Sequence, residues 1–197
     1  MSVKLGLTGS IGMGKSTTAD FFREFDVPVW DADAEVHAVY AKDGLAVAPI
    51  GALVPEATRE GFVDRSVLKA EIAKDSGLLE KIELALRPLL AESRQAFLTR
   101  HKKNAVVVFD IPLLYETDAE SWMDYVLVVT APEDVQRHRV LMRGSMNEDL
   151  FKTILARQMP DTEKRALADY LFDTSRGMDH TKAEVKALIE ELKQEYA

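Results

Sequence analysis

Residues 9–16 constrain the fold of this chain more than any other feature. They read Gly-Ser-Ile-Gly-Met-Gly-Lys-Ser, which fits the pattern G-x-x-x-x-G-K-[ST], and they lie between an apolar run at residues 3–7 and a helical pattern at residues 17–25. In such a loop, the glycines let successive backbone N–H groups turn toward a polyphosphate. The helix that begins there adds the positive end of its dipole. The segment therefore predicts a nucleotide-binding site between a strand and a helix.

The side chains and amides of this loop have expected roles. Lys15 brings an ammonium group to the outer phosphates, and the Ser16 hydroxyl is a candidate ligand of Mg²⁺. The pattern thus predicts a polyphosphate ligand, with Mg²⁺ as the expected metal. The candidate residues for binding this ligand are Ser10, Ile11, Gly12, Met13, Gly14, Lys15, Ser16 and Thr17.

Four further apolar runs indicate the rest of the sheet. They cover residues 27–30, 105–109, 125–129 and 170–172, and they are nearly continuous rather than alternating. Continuous apolar strands are buried on both faces, and helical segments between them imply right-handed crossovers. Together with residues 3–7, the runs predict a five-stranded parallel sheet in a three-layer α/β/α fold of the P-loop NTPase class.

The spacing of apolar residues also predicts the domain organisation. Residues 34–103 are mostly helical in pattern and longer than a crossover needs, so we expect a helical substrate-binding subdomain, interrupted by a loop at residues 44–61. Helices that merely pack on the sheet are the alternative. Residues 136–164 form a second helical excursion, rich in arginine, which we interpret as a small lid. The nucleotide-binding core then comprises residues 1–33, 104–135 and 165–197.

Composition and charge exclude several classes of protein. The 197 residues include no cysteine, which rules out disulfides, thiolate metal sites and a catalytic thiol. A net charge of −8 opposes general nucleic-acid binding, since that function needs a basic face. No apolar run approaches the roughly 18 residues of a membrane span, and the first residues do not resemble a cleavable leader. We expect a cytoplasmic protein without a membrane partner, as a monomer or small homo-oligomer.

Acidic residues follow two of the predicted strands. Asp31 and Asp33 come after the second strand, and Asp110 comes directly after the third. In open α/β sheets, ligands bind beyond the carboxyl ends of the strands. Asp33 is therefore a candidate general base and Asp110 a candidate ligand of hydrated Mg²⁺. For Asp33, the alternative is capping of the helix that follows.

Three basic residues add to the candidate site. His37 lies four residues after Asp33 and shares its helix face, so it either contacts substrate or pairs with that carboxylate. Arg139 and Arg143 are also four residues apart, and one helix can present both guanidinium groups to a transferred phosphoryl group. Ordinary surface arginines are the alternative for this pair.

Taken together, these motifs resemble those of the dephospho-CoA kinase family over essentially the whole chain. The phosphate loop alone is shared by many families, but its combination with Asp-Ala-Asp at residues 31–33 and Pro-Leu-Leu-x-Glu at residues 112–116 is more specific. The other matching positions are Arg65, Gln136, Arg139, Arg143, Gln158, Lys164 and residues 168–170.

The resemblance implies an enzyme that transfers the γ-phosphoryl group of ATP to the ribose 3′-hydroxyl of dephospho-CoA, the last step of coenzyme A synthesis. It implies that Asp33 accepts the hydroxyl proton, that residues 34–103 bind the CoA portion and that a lid closes with its arginines. The implied catalytic residues are Asp33, Lys15, Arg139 and Arg143, and the metal ligands are Ser16 and Asp110. The implied substrate contacts are Thr8, Asp31, His37, Arg65, Leu113 and Leu114.

Two other kinds of protein share part of this pattern. The first is another small-molecule kinase of the same fold, acting on a nucleoside monophosphate or shikimate, because residue types alone do not fix the acceptor. The second is a nucleotide-dependent switch. A guanine-nucleotide switch carries an Asn-Lys-x-Asp motif, and neither Asn104 nor Asn147 is followed by lysine.

Overall fold

A computed structural model describes residues 2–75, 77–144 and 146–195. The chain divides into two compact units, one of Met1–Trp30 with His101–Ala197 and the other of Asp31–Arg100. In chain order the elements are β1 (Val3–Thr8), α1 (Lys15–Glu24), β2 (Val29–Asp31), α2 (Ala32–Tyr40), α3 (Val47–Leu53), β3 (Thr58–Arg59), β4 (Phe62–Val63), α4 (Arg65–Lys74), α5 (Gly77–Arg100), β5 (Val106–Asp110), β6 (Tyr125–Thr130), α6 (Glu133–Met142), α7 (Glu148–Leu155), α8 (Asp161–Leu167), β7 (Tyr170–Asp173) and α9 (Met178–Glu195).

The first unit is built on a five-stranded sheet in the spatial order β2-β5-β1-β6-β7. β1 pairs in parallel with β5 and β6, and β6 pairs in parallel with β7. The predicted α/β fold with a five-stranded parallel sheet is confirmed. The strands extend one residue further than predicted at their carboxyl ends, so Asp31, Asp110 and Asp173 are the last residues of their strands.

One face of this sheet carries the main core of the first unit. Alternate residues of β1, such as Leu5, share a buried apolar cluster with Phe22 of α1 and Leu192 of α9. Complete burial of a side chain of this size contributes about 1.5–3 kcal/mol to folding. On the other face, Phe109 packs edge-on against Trp122 with 4.9 Å between ring centroids. Burial of both faces explains why the strand sequences are nearly continuous in apolar residues.

The helix α9 covers the sheet with an amphipathic face. Val185, Leu188, Ile189 and Leu192 are buried, and charged residues occupy the opposite side. Spacing of three and four residues places these side chains on one stripe of the helix. Neither α9 nor any other helix in the described ranges is both long and apolar enough to cross a membrane.

The second unit contains α2, α3, α4 and α5 around its own apolar cluster, which includes Ile50, Leu68 and Ile82. The prediction of a loop at residues 44–61 is wrong, since this segment holds α3 and most of the antiparallel hairpin β3–β4. Glu60 and Gly61 form the two-residue turn of that hairpin, and their φ angles are 48° and 82°. Positive φ at both positions is the requirement of a type I′ turn, for which Glu-Gly is not the usual sequence signal.

Candidate active site

The phosphate loop connects β1 to α1 in a conformation that requires glycine. Gly12 and Gly14 have φ angles of 81° and 91°, in the left-handed region that L side chains rarely adopt. At Gly12, an added Cβ atom would also lie 2.6 Å from Val140 Cγ2. The helix α1 then begins at Lys15, and Gly14 provides no side-chain cap for its first N–H groups. Those donors suit an anionic ligand.

Two glutamines hold the loop at Ile11. Gln136 Nε2 donates to Ile11 O over 2.7 Å, and Ile11 N donates to Gln158 Oε1 over 3.1 Å. Gln136 belongs to α6 and is 4% exposed. Sequence reasoning missed both roles, although Gln136 precedes Arg139 by one turn of the same helix. These two hydrogen bonds connect the loop to both ends of the arginine-rich segment at residues 136–164.

Thr174 holds the loop from the other side. Its hydroxyl donates to Met13 O over 2.8 Å and accepts from Arg139 Nη1 over 2.8 Å, while Arg139 Nη2 donates to Thr174 O over 2.9 Å. Met13 is buried, and its Sδ atom accepts from Ala131 N at 3.1 Å. Arg139 is therefore fixed by two hydrogen bonds to the segment after β7.

Lys15 and Asp110 form an ion pair at the start of α1. Lys15 Nζ lies 2.6 Å from Asp110 Oδ1, and the two side chains are 15% and 3% exposed. β5 lies beside β1, and Asp110 is opposite Leu7. The loop that follows β1 therefore brings Lys15 close to the end of β5. In this poorly solvated position the attraction between the charges is stronger than in water.

The oxygen atoms near the Lys15–Asp110 ion pair suit a partly hydrated Mg²⁺ ion as ligands. Ser16 is exposed next to Lys15, and Asp110 supplies a carboxylate. Within the described ranges, no cluster of three or more histidine or acidic residues forms a complete metal cage. Mg²⁺ is commonly held by one or two protein oxygens with the remaining positions filled by water and phosphate, so these residues fit that ion.

Arg143 differs from Arg139 in its surroundings. It follows the last residue of α6 and is exposed. In the part of the chain that the structure describes, its side chain has no recorded hydrogen bond or ion pair. The guanidinium group of Arg143 is therefore available to a ligand, whereas that of Arg139 is engaged by Thr174.

The predicted substrate contacts of the first unit differ in accessibility. Thr8 is fully buried, and its hydroxyl donates to Pro112 O over 3.1 Å. Leu114 is also fully buried and packs over Gly6, whereas Leu113 is 41% exposed. Among these three, only Leu113 presents its side chain to solvent, so the structure does not support the prediction that the side chains of Thr8 and Leu114 contact substrate directly.

In the second unit, Asp31 caps α2. Its Oδ1 atom accepts from Ala34 N over 3.0 Å. The alternative that Asp33 is the N-cap is therefore wrong, because α2 begins one residue before it. Asp33 lies in the first turn and is exposed, and within the described residues its carboxylate has no recorded hydrogen bond or ion pair.

The basic candidates of this unit are also exposed. His37 lies in the last turn of α2 and, within the described ranges, forms no ion pair with Asp33. Arg65 is the first residue of α4, which is capped by Asp64. Burial raises the pKa of the Tyr40 hydroxyl, and the positive charge of Arg65 partly opposes that rise.

Known proteins resemble the chain over nearly its whole length. The sequence model of the dephospho-CoA kinase family matches residues 3–180. The chain is 53% identical over 192 residues to a dephospho-CoA kinase of Jannaschia sp. (strain CCS1), covering 98% of each protein. It is 52% identical over 191 residues to that of Cereibacter sphaeroides, covering 97% of this chain and 96% of the relative.

Solved structures show the same architecture. TT1252 from Thermus thermophilus superposes with a TM-score of 0.85 at 29% identity, covering 97% of this chain and 98% of that one. Dephospho-CoA kinase from Campylobacter jejuni gives a TM-score of 0.74 at 20% identity over the full length of both chains. Shikimate kinase from Acinetobacter baumannii gives 0.55 at 14% identity, over 99% of this chain and 95% of that one, which indicates a shared fold alone.

Proposed function

The chain belongs to the dephospho-CoA kinase family, and from this premise we propose how its residues divide the work of phosphoryl transfer. The reaction is the ATP-dependent phosphorylation of the ribose 3′-hydroxyl of dephospho-CoA. It gives coenzyme A and ADP and is the last step of coenzyme A biosynthesis. The alternative acceptors considered from the sequence are not favoured.

The ion pair between Lys15 and Asp110 is the main observation that supports these roles in phosphoryl transfer. It brings an ammonium group and a carboxylate together beside the uncapped start of α1. Phosphoryl transfer needs positioned positive charge more than covalent chemistry. Lys15 and the backbone amides of the loop would hold the β- and γ-phosphates.

Mg²⁺ would be held by the Ser16 hydroxyl and the Asp110 carboxylate. When bound, the ion neutralises part of the charge on the β- and γ-phosphates. Asp110 would then be shared between the metal and Lys15, and the Lys15 ammonium group would bind the phosphates. The 2.6 Å separation of Lys15 Nζ and Asp110 Oδ1 supports these roles, because it brings both groups to one place.

Asp33 is the proposed general base. Of the two aspartates at the start of α2, Asp31 is committed to the N–H of Ala34, whereas the carboxylate of Asp33 is exposed. An exposed carboxylate without an internal partner can accept a proton from a substrate hydroxyl. This division of roles supports the sequence-based assignment of Asp33 rather than Asp31.

The two arginines have separate proposed roles. Arg143 stabilises the charge of the transferred group, because its guanidinium group is exposed. Arg139 stabilises the loop side of the nucleotide site through its bonds to Thr174. His37, Arg65 and Leu113 remain the proposed side-chain contacts to dephospho-CoA, with residues 34–103 as the substrate subdomain and residues 136–164 as the lid.

An acceptor panel tests the function. ADP release is measured with ATP and Mg²⁺ in the presence of dephospho-CoA, shikimate, nucleoside monophosphates or no acceptor, and the product is identified by mass. We expect strong stimulation by dephospho-CoA alone, with coenzyme A as the product. Equal ADP release with and without dephospho-CoA would contradict the function.

A further inference from the structure

Lys164 of α8 is fully buried, which is unusual for a lysine. Its Nζ atom lies 2.8 Å from Glu116 Oε1 and 3.4 Å from Pro112 O. A buried ammonium group is unfavourable unless it is paired, and apolar residues of similar volume often stabilise a protein as well as a buried ion pair does. Stability is therefore a weak explanation for this pair, and its other contacts need to be considered.

On one side, the pair contacts the turn that follows Asp110. Pro112 O accepts from Lys164 Nζ and also from the hydroxyl of Thr8, the residue that directly precedes the phosphate loop. A single carbonyl group thus joins the end of β1, the turn after β5 and the buried ammonium group. Movement of Lys164 would loosen the connection between the loop and the segment that carries Asp110.

On the other side, the pair is connected to the phosphate loop through the backbone of Met159 and the side chain of Gln158. Glu116 Oε1 accepts from Met159 N over 2.7 Å. The preceding residue, Gln158, accepts from Ile11 N through its side chain. Glu116 therefore fixes the backbone beside the glutamine that holds the loop, and Lys164 holds Glu116.

We propose that Lys164 and Glu116 are positioning residues for phosphoryl transfer, which hold Gln158 against Ile11 and thereby set the phosphate loop relative to Asp110. The proposal rests on the proposed function of this site. Neither residue touches the reacting atoms in this scheme. Their effect passes through Gln158 on one side and through the Pro112 carbonyl on the other.

The decisive variant is Glu116→Met combined with Lys164→Met, which removes both charges and the hydrogen bond from Met159 N while leaving unbranched side chains of similar size. Glu116 Oε2 has no hydrogen-bond partner within the described residues, so no further bond is lost with the carboxylate. Lys164→Met alone would leave the carboxylate of Glu116, which is only 17% exposed, without its countercharge, so this variant is more prone to unfold. The matched control is Glu148→Gln, which breaks the exposed ion pair between Glu148 and Arg137 in the same excursion.

The double variant should keep a melting temperature within a few degrees of the unmodified protein. We expect kcat to fall about tenfold or more and KM for dephospho-CoA to stay within about twofold, because positioning acts on the chemical step. Gln158→Ala should lower kcat as well. When all three substitutions are combined, the loss should be smaller than the product of the separate losses, because they act through the same contact with Ile11.

An unchanged kcat in the folded double variant would overturn the proposal, and so would an unchanged kcat in Gln158→Ala or losses that simply multiply. The affinity of a fluorescent ATP analogue is measured for all variants without acceptor. If the unmodified protein and Glu148→Gln fail to phosphorylate dephospho-CoA, the proposed function fails. The positioning role is then judged from nucleotide affinity, which the double variant should lower and the control should not.

Discussion

Lys15 Nζ lies 2.6 Å from Asp110 Oδ1, so the lysine of the phosphate loop and the last residue of β5 form one nearly buried ion pair. The pairing of β5 with β1 brings them together, because Asp110 lies opposite Leu7 and the loop begins two residues later. The charges of the phosphate site thus balance each other in this structure.

Replacement of Asp110 tests this arrangement. Asp110→Asn should lower turnover by about 10²-fold and raise the Mg²⁺ concentration needed for half-maximal activity, because a neutral amide is a weaker ligand of a hard cation. Turnover is measured across a Mg²⁺ titration. Asp20→Asn, which removes an exposed ion pair with Arg23, serves as the control. A normal Mg²⁺ dependence in Asp110→Asn would remove this residue from the metal site.

The two aspartates at the start of α2 should separate activity from stability. Asp33→Asn should reduce kcat by about 10² or more with little change in ATP affinity, since it removes the base alone. Asp31→Ala should lower the free energy of unfolding by about 1 kcal/mol through loss of the helix cap. Steady-state kinetics and urea unfolding of both variants provide the measurements. Near-normal turnover in Asp33→Asn would exclude it as the base.

Arg143 and Arg139 should give different kinetic signatures. Arg143→Ala should lower kcat by about 10–10²-fold without a change in melting temperature, because its side chain is exposed and the charge it provides is needed during transfer. Arg139→Ala should mainly raise KM for ATP and lower the melting temperature, because it breaks the bonds to Thr174. Identical kinetics for the two variants would contradict the division of roles.

The loop conformation predicts a sharp difference between two glycines with positive φ. Gly12→Ala should abolish detectable nucleotide binding, since its Cβ would lie 2.6 Å from Val140 Cγ2 and 3.0 Å from Gln136 O. Among the described residues, an added Cβ at Gly144, which has φ 69°, meets no atom within 4 Å, so Gly144→Ala should cost about 1–2 kcal/mol of backbone strain. Calorimetric titration with ATP compares them, and tight binding by Gly12→Ala would show that the loop adapts.

Tyr115 predicts a loss of stability at high pH. Burial raises the pKa of its hydroxyl to about 12, with a smaller effect from the charges of Asp169 and Glu120. Because the folded-state pKa lies above the unfolded value of about 10, the contribution to stability is complete below pH 10 and is lost as pH rises through 12. Tyr115→Phe should therefore lose less stability between pH 9 and 11 in urea unfolding. Parallel loss in both proteins would rule out Tyr115 as the cause.

The sequence predicts the parts of this protein that depend on local pattern. The five strands are predicted by continuous apolar runs. Lys15, Ser16 and Asp110 are predicted as candidate site residues because they lie in or after those runs at the positions that the phosphate-binding motif and the strand ends require. The hairpin of the second unit was missed because Glu60 adopts a positive φ, which its residue type does not indicate.

The contacts that hold the loop were missed for another reason. Gln158 and Ile11 are far apart in sequence, and a glutamine has no preference for a loop amide that a pattern can reveal. Lys164 is among the positions that match the dephospho-CoA kinase family, but the apolar and polar pattern around it does not distinguish it from an exposed lysine of an amphipathic helix. Its burial results from the packing of α8 beside the turn after β5, which is a property of the folded chain.

The central position of β1 has a consequence for synthesis on the ribosome. β1 is made first, yet its neighbours β5 and β6 and the covering helix α9 are made later, and α9 is the last helix of the described chain. The nascent chain must therefore keep β1 without a neighbouring strand until β5 has emerged, and without its second neighbour until β6 has emerged. We expect a ribosome-bound chain that stops before β6 to bind no ATP and to depend on chaperones that shield β1.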